Sequence, residues 1–105
     1  RLDLFHMEQY ARLITKLDAI QEGEGTLLDS LMFTMGSGLS SGMLHTCTDL
    51  PTVIAGSAGG LLETNRHDKH PKGTPIANLW LSMAKVMGVK TDRIGDSTGT
   101  LKGWT

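Results

Sequence analysis

The sequence has little cysteine, net charge or aromatic content and no long apolar run, and these shortages limit the classes of protein to which it can belong. A single cysteine, Cys47, rules out an intrachain disulfide and leaves the redox compartment open. The formal net charge of -1 gives no electrostatic basis for binding nucleic acid or an acidic membrane surface. No apolar run approaches the roughly 20 residues that cross a bilayer, so no membrane span is expected. Two tryptophans, two phenylalanines and one tyrosine, against 13 glycines, predict a loop-rich chain with a modest core.

The length of 105 residues is enough for one small domain or for part of a larger one. Because helical periodicity is already present at Arg1, we expect residues 1–105 to form a single α/β unit, the C-terminal part of a larger domain. The missing N-terminal part of the parent protein is then one expected partner. A homo-oligomer is another, because a partial domain exposes sheet edges and apolar surface.

Two amphipathic helices are predicted from the spacing of apolar residues. In residues 3–21 such side chains recur close to every 3.6 positions. They are Met7, Tyr10, Ala11, Ile14, Leu17 and Ile20. Residues 22–25, Glu-Gly-Glu-Gly, are expected to end this helix. Residues 74–87 form the second helix, with Thr74 as N-cap, Pro75 as first helical residue and Gly88 as the stop. Its expected core stripe is Ile76, Leu79, Trp80, Met83 and Met87.

Short apolar runs predict strands at residues 31–35 and 52–56, each buried on both faces, and a third, shorter strand at residues 61–64. The order helix, strand, loop, strand, loop, helix is typical of α/β proteins. We therefore predict an α/β fold with a mainly parallel sheet flanked by helices.

The loop between the two main strands, residues 36–51, concentrates the side chains that can carry chemistry. Its glycines imitate a dinucleotide-binding turn, and Gly38-Leu-Ser-Ser-Gly42 matches the elbow motif that would make Ser40 a nucleophile. Both motifs need a helix directly after the turn. Asp49-Leu-Pro51 arrives too soon for one, so neither nucleotide binding nor a serine nucleophile is favoured.

A third pattern in this loop is His45-x-Cys47-x-Asp49. In an extended segment, alternation would place these three side chains on one face. Imidazole, thiolate and carboxylate all bind zinc or a similar divalent ion, and His67 and His70 can join from the next loop. The alternative is an ordinary loop histidine, a small buried cysteine and a turn or capping aspartate.

Short stretches spread over most of the chain, taken together, match the sequence pattern of a known family. They are Glu22-Gly-Glu-Gly-Thr-Leu-Leu-Asp29, Gly36-Ser-Gly-Leu39, His45, Asp49-Leu-Pro51, Ala55-Gly56, Ala58-Gly-Gly60, Arg66-His67, Pro71-Lys-Gly-Thr-Pro75, Asn78-Leu79, Met87-Gly-Val89 and Gly95-Asp-Ser-Thr-Gly99. Together they resemble the C-terminal portion of the HXXSHH family, bacterial secreted proteins of unknown function. The resemblance implies a periplasmic or secreted location. It also implies distant similarity to the alkaline phosphatase and sulfatase superfamily, and hence an alkaline-phosphatase-like domain.

In that superfamily a His-Thr-x-x-x-x-Pro segment before a strand supplies a metal ligand, and His45 to Pro51 fits this pattern. The resemblance makes His45 the leading ligand, with Cys47, Asp49 and His67 as further ligands. The cofactor would be a divalent metal, zinc or manganese, which would hold a phosphate or sulfate ester.

The chain departs from the family pattern at three loop positions. The family usually has an acidic residue at the position of Ser41, an asparagine at that of Met43 and a histidine at that of Cys47. These differences weaken the case for a two-metal site. Two functions stay open. One is a segment of a secreted, metal-dependent phosphate or sulfate ester hydrolase-like protein whose nucleophile lies elsewhere. The other is a non-catalytic binding or assembly domain with a degenerate metal site.

Overall fold

Two helices and two separate two-stranded sheets make up the regular structure of the chain. A computed structural model describes all of residues 1–105. The elements are α1 (Leu2–Asp18), β1 (Gln21–Glu22), β2 (Gly25–Thr26), a 3-10 helix (Leu27–Ser30), β3 (Phe33–Gly36), β4 (Thr52–Ala55) and α2 (Ala77–Val86). Both helices and both main strands therefore lie close to the segments that the apolar spacing predicts. Residues 61–64, predicted as a third strand, form none.

The sheet that carries the central loop is antiparallel, so the predicted α/β fold with a mainly parallel sheet is wrong. β3 pairs with β4 so that Phe33 lies opposite Ala55 and Gly36 opposite Thr52. The N–H of Ser37 donates to the carbonyl of Pro51 at 3.3 Å and closes the base of the loop. A parallel pair needs a crossover connection, usually a helix, and residues 37–51 contain no helix. The chain therefore returns directly beside the strand that it has just left.

A second, smaller hairpin lies where the sequence predicts only the end of the first helix. α1 ends at Asp18, and β1 and β2 then pair antiparallel, with Glu22 opposite Gly25. Gly23 makes the tight turn between them with a φ of 58°, a conformation that glycine adopts at little cost. The Asp29 carboxylate accepts the N–H of Thr26 at 2.8 Å and joins this hairpin to the 3-10 helix.

The core is small and lies against α2. Only 10 of the 105 residues are buried, so much of the apolar surface of this chain stays in contact with solvent. The buried cluster consists of Ala58, Leu62, Leu79 and Trp104. Met32, Ile54, Met83, Val86 and Leu101 pack around it. The tail thus contributes the largest side chain of the core, although it contains no helix or strand.

The predicted core stripe of α2 is only partly correct. Leu79 is buried, but Trp80 is 40% exposed and Met87 66% exposed. Gly88 ends the helix as predicted, with a φ of 80°. Thr74 does not cap it, because its hydroxyl donates to the carbonyl of Pro71 instead. α2 is therefore rotated relative to the prediction and turns part of its polar side inward.

That inward polar side binds the tail. Asn78 and Ser82 are both buried, one helical turn apart. The Asn78 amide donates to the Thr98 hydroxyl at 3.1 Å and accepts the Thr98 N–H at 2.8 Å. The Ser82 hydroxyl accepts the N–H of Leu101 at 2.8 Å. Side chains of α2 thus satisfy tail backbone groups that a neighbouring strand would otherwise pair. Arg66 secures the end of the tail through the carbonyls of Gly103 and Trp104.

Candidate functional site

The central loop folds into a smaller hairpin of its own. The N–H of Ser40 donates to the carbonyl of Thr46 at 2.9 Å, and the two hydroxyls lie 2.8 Å apart. Ser41 forms a β-bridge with the same threonine. The tip of this inner hairpin is residues 42–45, where Met43 is 90% and Leu44 72% exposed. The hydroxyl of Ser40, a nucleophile in the elbow interpretation, is thus engaged with Thr46.

The predicted metal ligands lie along the returning arm of the loop. His45 has a φ of 52° and Asp49 a φ of 53°, so the segment is not extended and the alternation that would align the three side chains does not apply. The Cys47 thiol lies 3.8 Å from the carbonyl of His45. All three residues are exposed, as is His67 in the later loop.

No cluster of three or more His, Cys, Asp or Glu side chains suited to a metal ion occurs in residues 1–105. His67 follows Arg66, whose guanidinium points to the tail and pairs with Asp68 at 3.2 Å. The structure therefore does not bring His45, Cys47, Asp49 and His67 together as one donor set. The metal site and its zinc or manganese cofactor stay predictions.

Two of the depressions on the surface lie near α2 and β4, and neither of these two includes a predicted site residue. One, of about 410 Å³, lies between α2 and the tail. Its lining residues are Leu61, Ser82, Lys85, Val86, Thr100, Leu101, Trp104 and Thr105. The other, of about 540 Å³, lies beside the exit of β4 and includes Asp29, Gly56 and Ser57. In the second depression the Ser57 hydroxyl donates to the backbone carbonyl of Asp29 at 3.0 Å, while the Asp29 carboxylate accepts the N–H of Thr26.

The inner face of α1 is anchored to the main hairpin by Tyr10. This ring is buried and stacks on Phe33 at a centroid distance of 4.9 Å. Its hydroxyl donates to the carbonyl of Phe33. Burial raises the pKa of Tyr10 above 10.0, and a backbone hydrogen bond from Ala55 opposes that rise. At the other end of the helix, the hydroxyl of Thr26 donates to Asp18 at 3.1 Å. α1 is therefore held to the body at its middle and at its C-terminus.

The outer face of α1 is apolar and uncovered. Its exposed fractions are 76% for Leu2, 53% for Phe5, 48% for Leu13 and 48% for Ile20, just past the helix end. At 100° per residue Leu2, Phe5 and Leu13 fall within a sector of about 80°, next to the sector that packs inward. Gln9 and Lys16 lie in the same sector, and Leu4 and Met7 are exposed on other sides of the helix. We call Leu2, Phe5, Leu13 and Ile20 the open stripe. The apolar stripe predicted for this helix includes only Ile20 of the four. Apolar residues on most sides of a helix nevertheless indicate that more than one of its faces is covered.

The charges on α1 are balanced, and none of them forms an ion pair within the chain. Residues 1–18 contain three acidic and three basic side chains. The chain's ion pairs join Arg66 to Glu63 and Asp68, and Lys85 to Asp92, so no charged residue of α1 takes part. Glu8 and Arg12 lie one turn apart on the flank of the open stripe that faces away from the body. The outer surface of α1 thus combines an apolar stripe with a flank of unpaired, opposite charges.

Comparison with known proteins adds no assignment. No protein-family model, no curated protein and no solved structure matches the chain. The resemblance to the HXXSHH family and the secreted or periplasmic location stay predictions. Neither helix is long and apolar enough to cross a membrane, in agreement with the expectation of no membrane span.

Proposed function

We propose that this chain is a non-catalytic binding or assembly domain, and that it acts by covering the open stripe of α1 with another polypeptide. The observation that carries the proposal is the exposure of Leu2, Phe5, Leu13 and Ile20 on one side of an anchored helix. Large apolar side chains that stay exposed together on a soluble protein often serve an interaction.

The strength of such an interface follows from the exposed fractions. Fully burying one large apolar side chain contributes roughly 1.5–3 kcal/mol. The four stripe residues are half to three-quarters exposed, so covering them contributes on the order of 5 kcal/mol before the costs of association. That amount offsets only the lower end of the roughly 4–15 kcal/mol that association costs, so contacts around the stripe must supply the rest.

The way in which α1 is held also supports the proposal. Tyr10 fixes the middle of the helix on Phe33, and Asp18 fixes its end through Thr26. A partner would therefore meet a formed helix and would not have to order it on binding, which lowers the entropic cost of association.

The experiment is cysteine footprinting in the cells that produce the protein. Cys47→Ser supplies the background, because the native thiol is exposed. Leu13→Cys places a thiol in the stripe, and Thr15→Cys is the matched control, exposed on the same helix about 160° away. We expect a permeant maleimide to label Leu13→Cys more slowly than Thr15→Cys in cells, and both at similar rates in dilute purified protein. Similar rates at both positions in cells would contradict the proposal.

A further inference from the structure

We propose that α2 and Arg66 form a peptide-binding groove, which the chain's own tail, residues 89–105, occupies and yields to a segment of another protein. The partner segment would carry the spacing Thr-x-x-Leu-x-x-Trp, which the tail shows from Thr98 to Trp104. This surface is different from the open stripe, so the inference does not rest on the proposed function. It follows from how the tail is bound, which side chains anchor it and how incompletely it fills the groove.

The tail is held largely by side chains that bind its backbone. Asn78 accepts the N–H of residue 98, and Ser82 accepts that of residue 101, both at 2.8 Å. The Arg66 guanidinium donates to the carbonyl of Gly103 at 2.7 Å and to that of Trp104. These bonds join residues that are 19 to 38 positions apart in the sequence. A segment that is not covalently part of this chain can therefore make the same bonds.

Two apolar side chains anchor the tail. Trp104 is 6% exposed and lies in one buried cluster with Leu62 and Leu79, and Leu101 packs against that cluster. Tryptophan in a desolvated pocket and arginine are among the residue types that dominate the binding energy of protein interfaces. Lys102, between the two anchors, is exposed. The groove thus selects an apolar residue followed three positions later by a large aromatic one.

The tail does not fill the groove. A depression of about 410 Å³ remains beside it, bounded by Lys85 and Val86 on α2 and by Thr100 and Thr105 on the tail. A segment with larger side chains at these two tail positions would make contacts that the tail lacks. The advantage of the tail is its covalent attachment, which gives it a high effective concentration. The affinity for a competing segment therefore depends on the fraction of molecules in which the tail is released.

The test measures binding of a fluorescently labelled peptide of residues 96–105 to the full-length chain by anisotropy, with folding checked by circular dichroism. Leu101→Ala in the chain weakens the attached tail and leaves the groove residues unchanged, so it should bind the peptide roughly tenfold more tightly than wild type. Thr98→Ala is a milder change in the tail, because it removes only the hydroxyl that Asn78 contacts at 3.1 Å, and should act in the same direction. Lys102→Ala is the matched control and should bind the peptide as wild type does. A peptide with serine at both anchor positions should not bind.

Nuclear magnetic resonance shows whether the peptide replaces the tail. In isotope-labelled chain, unlabelled peptide should move the N–H resonances of residues 98 and 101 to positions typical of unfolded chain, because both groups lose their acceptors on α2. Absence of peptide binding to folded Leu101→Ala and Thr98→Ala overturns the inference, as does binding that leaves these resonances in place. Neither result bears on the open stripe, which labelling of Leu13→Cys tests separately.

Discussion

Substitution of Gly56 tests most sharply how the β3–β4 hairpin is fixed to the rest of the chain. It leaves β4 with a φ of 96°, a conformation that L side chains rarely adopt. A Cβ atom at this position would lie 2.5 Å from the carbonyl oxygen of Leu28 and closer still to that of Leu31. These oxygens belong to the backbone around the 3-10 helix, so no side-chain rotation can relieve the overlap.

The expected cost of Gly56→Ala has two parts. The left-handed backbone conformation costs roughly 1–2 kcal/mol for a residue with a Cβ. Overpacking against fixed neighbours adds about 1–3 kcal/mol. Separation of the two segments would also strain the bonds from the N–H groups of Ala58 and Gly59 to the carbonyls of Leu31 and Asp29, at 3.1 and 2.7 Å. We therefore expect a loss of about 2–5 kcal/mol in the free energy of unfolding.

Gly59→Ala is the matched control for this substitution. Gly59 has a φ of 71°, but a Cβ there would meet nothing within 4 Å. Only the conformational cost of about 1–2 kcal/mol applies. Urea unfolding followed by tryptophan fluorescence, at one protein concentration, measures both variants. Gly56→Ala should unfold at a clearly lower urea concentration than Gly59→Ala. Equal midpoints would refute the steric explanation.

Three further predictions concern separate parts of the chain. Burial raises the pKa of Tyr10 in the folded state above its ordinary value of 10.0. The stability that neutral Tyr10 contributes is therefore fully present below pH 10 and is lost as the pH rises through the folded pKa. Tyr10→Phe should reduce that loss of stability. Phenolate absorbance follows the titration directly, since the chain has one tyrosine. Ser82→Ala removes the acceptor of the Leu101 N–H and should lower the free energy of unfolding by about 1–3 kcal/mol, measured by urea unfolding beside exposed Ser37→Ala. If the predicted metal site is present, the folded wild-type chain should contain zinc or manganese and His45→Ala should contain none. Equal metal content in wild type and His45→Ala would contradict the prediction.

The features that could be predicted from the sequence are the ones that depend on neighbours along the chain. Apolar spacing located α1 and α2, and Gly88 ends α2 with the left-handed conformation expected of a helix stop. Strand direction is different, because it depends on where the chain goes between strands. The sequence already indicated that no helix follows the glycine turn, and this same feature explains why β3 and β4 pair antiparallel.

The side of a helix that is buried was harder to predict, because it depends on distant segments. Asn78 and Ser82 have polar side chains, which normally favours exposure, yet both are buried where they bind the tail backbone. No local pattern in α2 predicts that backbone groups of an irregular tail will need hydrogen-bond partners from this helix. Trp80 is exposed for the same reason, since the rotation that buries Asn78 turns the tryptophan outward.

The candidate site shows a similar contrast. Alternation of side chains assumes extended backbone, but His45 and Asp49 have positive φ values. Histidine and aspartate are among the non-glycine residues that adopt this conformation more often, so a signal was present but weak. The open stripe had a clearer signal, since Leu2, Phe5 and Leu13 are apolar residues outside the predicted helical stripe.

The most direct measurement of the central claim is site-specific photo-crosslinking from α1 in the cells that produce the protein. A photoreactive amino acid at Leu13 tests the open stripe, and the same amino acid at Thr15, about 160° away on the helix, is the control. We predict a covalent polypeptide adduct from position 13 and none from position 15. Absence of any adduct from position 13, in protein shown to be folded, would contradict the assignment of α1 as an assembly surface.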